Sequence, residues 1–88
     1  MSVYMVERDL KGIAMKDLAA AQKAAIARAE EMQRSGSAIR YIRTTFAPED
    51  GRCMCLFDAG SEAEVRQLND EAGLPYGRVV PAMDLTPA

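Results

Sequence analysis

Eighty-eight residues, 49% hydrophobic and 27% charged, suit one globular domain over residues 1–88, and so apolar a chain is not a disordered one. A net charge of -2 gives no general attraction to nucleic acid, and no apolar run approaches the roughly 18 residues of a membrane span. The opening MSVYMVERDL lacks the basic-then-apolar layout of a signal peptide, so the expectation is a cytoplasmic protein with no nucleic-acid or membrane partner.

The stretch from Val3 to Asp9 starts with β-branched and aromatic residues and turns polar at its end, which predicts a first strand stopped by Gly12. Met15 to Arg34 contains no Gly or Pro and repeats apolar side chains at Leu18, Ala21, Ala25, Ala29 and Met32. That spacing predicts a helix, with Ala14 a poor cap at its start and the SGS of 35–37 its stop. Ala38 to Phe46 is again β-rich. APEDG separates it from RCMCLFDA, which predicts a hairpin turned over Pro48 to Gly51. Ser61 and Glu64 have the spacing of a capping box for a helix over about residues 61–72, with Val65, Leu68 and Ala72 on one face and Gly73 ending it in a left-handed conformation. RVVPAMDL then reads as a strand. Pro81, unable to donate to a ladder, places that strand at an edge or a bulge.

The order β-α-β-β-α-β predicts an α+β, ferredoxin-like βαββαβ fold: a four-stranded antiparallel sheet with both helices on one face. The other face would carry Tyr41 or Ile42, Met54 or Leu56, and Val3 or Met5, a larger apolar patch than a soluble monomer usually shows. So small a chain also has a marginal core. The expected partner is a second copy, giving a homodimer packed sheet to sheet. If PEDG is a four-residue loop, Ala47 opposes Arg52, and Cys53, Cys55 and Phe57 share the helix-covered side with Ile42, Thr44 and Phe46. Tyr41, Arg43, Thr45, Met54, Leu56 and Asp58 then fall on the open, dimer-facing side.

Cys53 and Cys55 are the only cysteines, and the chain has no histidine. Residues i and i+2 of a strand have Cα atoms about 6.5 to 7 Å apart, at or beyond the limit of a disulfide, so the two do not bond to each other. A closed zinc site needs four ligands, and core packing is the favoured role of the thiols, although a dimer could assemble four thiolates across its axis. No nucleophile is paired with a base, and no catalytic residue is assigned. Arg43 within a strand and Glu7 near the end of another could line a polar pocket between the sheets, with Tyr41 and Asp58 beside them. These four are the candidate ligand-binding residues; the alternative for the strand charges, and the favoured one, is an ion pair or a solvated edge.

YMVERDLKGI and RYIRTTFAPEDGRCMCLFDAGSEAEVRQLNDEAGLPYGRVV resemble a family of small bacterial proteins, one member of which is described as nickel-binding with a dimeric ferredoxin-like structure. The likeness spans nearly the whole chain. Val6-Glu7-Arg8, the region around Asp50, Cys55 and Asp58-Ala59, and Gly73-Leu74-Pro75 are its most specific pieces. The resemblance implies a dimeric α+β barrel with a metal, nickel among them, or a small ligand at the sheet. Imidazole is the usual nitrogen ligand of nickel, and without it no metal ligand set is assigned. The functional expectation is a small ligand- or metal-binding homodimer that binds metal weakly if at all. The alternative is a cofactor-independent enzyme of the dimeric barrel class, an isomerase or a monooxygenase.

Overall fold

The computed structural model describes residues 1–87. Its elements are β1 (Ser2–Asp9), α1 (Met15–Arg34), β2 (Arg40–Ala47), β3 (Arg52–Ala59), α2 (Glu62–Glu71) and β4 (Arg78–Ala82). The strands form one antiparallel sheet in the order β2-β3-β1-β4, the ferredoxin-like arrangement expected from the order of elements. Pro81 lies in β4, an edge strand, as expected, and stands opposite Tyr4 of β1. Among the described residues no helix is long and apolar enough to cross a membrane.

Helix ends follow local chemistry. Ala14 makes no side-chain cap to α1, whereas the Ser61 hydroxyl accepts from the Glu64 N–H at 3.3 Å. Glu64 does not close a strict capping box: its carboxylate accepts from the Gly60 N–H at 3.1 Å and from the Ser37 hydroxyl at 2.6 Å. It thereby ties the start of α2 to the segment leaving α1. Gly73 is left-handed as expected, with φ +70°.

The hairpin register is the four-residue one, with Ala47 opposite Arg52, Phe46 opposite Cys53 and Thr44 opposite Cys55. It is interrupted by a bulge between Tyr41 and Arg43, so that Tyr41, and not Ile42, stands opposite Phe57. The expectation that Tyr41 faces the open side is therefore corrected. One extra residue in β2 moves every side chain before it to the other face. The Tyr41 ring meets Phe57 edge-on at 5.7 Å, and its hydroxyl accepts from Gln22 of α1 at 3.0 Å.

Under the helices, Val6, Cys53, Cys55, Phe57, Ala59 and Val79 of the sheet pack with Ala25, Ala29 and Met32 of α1 and Val65 and Leu68 of α2. On the open face Val3, Met5, Met54, Leu56 and Val80 remain half-buried. Asp84, just beyond β4, forms an ion pair at 2.7 Å with Arg43 on the opposite edge strand. The segment after β4 thus turns back across the open face, which has more cover from its own chain than the element order implies.

Candidate functional site

The alternation that packs Tyr4 and Val6 beneath the helices also carries Arg8 there, where it pairs with Cys53 across the β1–β3 ladder. Arg8 is only 8% exposed. One guanidinium nitrogen donates to the Pro75 carbonyl at 3.1 Å and the other to the Cys55 sulfur at 3.4 Å. Among the described residues no carboxylate forms an ion pair with Arg8. Arginine stays protonated in proteins, so a positive charge is held at the sheet with no carboxylate paired to it among the described residues.

Beside it lies a cavity of about 240 Å³. Leu10 and Ile13 of the β1–α1 connection, Leu18, Ala21 and Ala25 of α1, and Leu74 and Pro75 after α2 form its walls; Phe46, Thr44, Cys53 and Cys55 form its sheet side. The small side chains of Ala21 and Ala25 leave room between helix and sheet that larger residues would fill. The lining is apolar apart from Arg8, Gln22, Thr44 and the thiols.

A hydrogen-bonded row runs along this space. Gln22 donates to the Tyr41 hydroxyl, which is hydrogen-bonded to the Thr44 hydroxyl at 2.6 Å; Thr44 lies 3.1 Å from the Cys55 sulfur, which accepts in turn from Arg8. Burial, and next the neighbouring Cys55 thiol, push the Cys53 thiol up to about 11, so it is protonated at neutral pH. Both cysteines are free and buried.

The four candidate ligand-binding residues do not converge. Glu7 pairs with Arg78 at 2.5 Å, Asp58 with Arg40 at 2.9 Å and Arg43 with Asp84, three separate ion pairs on the open side, while Tyr41 lies on the other. Arg8 escaped the sequence reading as a site residue. Its signal lies in the period-two placement of Tyr4, Val6 and Arg8, which puts an arginine on the strand face that carries the apolar residues.

A four-stranded antiparallel sheet, two helices on one face and a cavity between them define a small ferredoxin-like α+β protein with an internal pocket. Residues 4–81 match the family model described as nickel responsive protein SCO4226-like, and the chain belongs to that SCO4226-like family. It is similar in fold to the crystal structure of SCO4226 from Streptomyces coelicolor A3(2), with a TM-score of 0.79 at 19% identity over 97% of this chain and 100% of the other. No curated protein matches significantly.

The residues do not fit a nickel site within one chain. There is no imidazole to offer, and among the described residues no three His, Cys, Asp or Glu side chains are grouped to hold a metal ion. Glu7, Asp58 and Asp84 are each engaged by an arginine, and the thiols lie on the opposite face.

Proposed function

We propose that the chain is a binding protein for a small, mostly apolar organic anion, a carboxylate seated beneath α1 with its charge against Arg8. The buried guanidinium, without a carboxylate partner among the described residues, carries this reading. An uncompensated internal charge costs several kcal/mol, and an anion entering an apolar cavity beside it offsets that cost with a charge-assisted hydrogen bond. At about 240 Å³ the cavity is below the usual range for drug-sized ligands, which restricts the occupant to a small molecule. Calorimetry with hexanoate, benzoate and their amides tests it: the carboxylates bind and the amides do not, and equal binding of acid and amide overturns the role of charge.

The open face supports a homodimer. Val3, Met5, Met54, Leu56 and Val80 form an apolar strip that a second sheet would bury, and the Glu7, Arg43 and Asp58 ion pairs would lie beside it. The expected interface exceeds about 1,000 Å² and includes the segment after Pro81. Light scattering at micromolar concentration is expected to give a dimer, and Leu56→Glu a monomer. A monomeric parent chain would refute this assembly.

For nickel, carboxylates held in ion pairs predict loose and unselective binding, with calorimetry showing nothing tighter than about 10 μM. A stoichiometric nickel ion that survives dialysis and is lost in Glu7→Ala would show the opposite.

A further inference from the structure

We propose that Cys53 and Cys55 form a two-thiolate site for a soft monovalent cation of the Cu(I) class, with Arg8 as its counter-charge. The two residues alternate with Met54 on β3 and so point the same way, into the cavity wall beside α1. Their Cα atoms, about 6.5 to 7 Å apart by strand geometry, are poorly placed for a disulfide but leave room for one ion bridging two sulfurs. Zinc wants four ligands and nickel favours nitrogen, so two thiolates without histidine select a soft ion content with low coordination.

Charge supports the assignment. One Cu(I) ion forms two metal–sulfur bonds as two S–H bonds break, both protons leave to solvent, and no electron is transferred. The resulting bis-thiolate unit carries one negative charge. Arg8, 3.4 Å from the Cys55 sulfur and without a carboxylate partner among the described residues, supplies one positive charge, and the Thr44 hydroxyl at 3.1 Å is placed to donate to the same sulfur. A cysteine serving only as a small hydrophobe has no use for a buried guanidinium. The site does not depend on an organic anion, although the two occupants would compete for Arg8.

Anaerobic titration with Cu(I) against a chromophoric chelator tests the site in the full chain. One ion per chain is expected, with affinity lowered about a hundredfold or more by Cys53→Ser and by Cys55→Ser and about tenfold by Arg8→Met. X-ray absorption of the parent protein should show two sulfur ligands to copper, a readout that holds even if a variant misfolds. Absence of stoichiometric binding, unchanged affinity in Cys53→Ser, or nitrogen and oxygen ligands at the copper would each overturn the proposal. Hexanoate binding to the metal-free parent chain is measured separately, so failure of the copper site and failure of the anion site are distinguished without any variant.

Discussion

Replacing Arg8 with Met is expected to weaken carboxylate binding by at least about thirtyfold while leaving the folded state close to its original stability. The first figure follows from the roughly 2 to 5 kcal/mol lost when one partner of a buried, hydrogen-bonded charge pair is truncated. The second rests on two opposed effects. Met is unbranched and adaptable and can follow the path of the arginine stem, so packing under α1 is largely kept. The Pro75 carbonyl loses its 3.1 Å bond, a loss of about 1 to 3 kcal/mol if no water replaces it, and the removed internal charge returns a comparable amount. Calorimetry with hexanoate and benzoate, together with chemical denaturation, separates the outcomes. Unchanged affinity in a folded variant would remove Arg8 from the site. A variant that unfolds with its ligand contacts untested by calorimetry would instead show that the bond from β1 to Pro75 is a structural clamp, and Arg8→Lys, which keeps the charge, then has to bind carboxylates for the ligand role to stand.

Gly51→Ala is expected to destabilise the fold by about 3 kcal/mol or more, combining left-handed strain with overpacking. Gly51 is buried at φ +75°, and a Cβ there would stand 2.3 Å from the Lys11 backbone. Leu10 donates its N–H to the Gly51 carbonyl at 2.7 Å, so the β2–β3 turn and the β1–α1 connection touch through backbone on both sides and neither can yield cheaply. For a domain of this size about 3 kcal/mol lowers Tm by roughly 12 to 24 °C. Gly73→Ala is the control: φ is +70° but nothing lies within 4 Å, leaving only the strain, about 1 to 2 kcal/mol. Equal losses at the two glycines would show that the contact with Lys11 contributes nothing. Because Leu10 and Ile13 line the cavity, Gly51→Ala should also weaken ligand binding at temperatures where the chain remains folded.

Local chemistry determined most of the architecture. Alanine-rich spacing sets α1, Ser61 caps α2, Pro81 marks an edge strand, and the PEDG turn puts Phe46 opposite Cys53; each depends on residues within a few positions of one another. The placement of Cys53, Cys55 and Phe57 under the helices follows from that turn and holds. What the sequence could not convey depends on distant partners. The bulge between Tyr41 and Arg43 is a relation between β2 and β3, and it carried Tyr41 to the opposite face. The ion pairs of Glu7, Arg43 and Asp58 join residues that are 71, 41 and 18 positions apart along the chain, and only the assembled sheet selects them from other possible partners. Arg8 is the sharpest case: alternation alone places it on the buried face, but its hydrogen-bond partners and adjoining cavity exist only once β1, β3, α1 and the segment after α2 have packed together, because empty space is a property of several elements at once and has no local pattern.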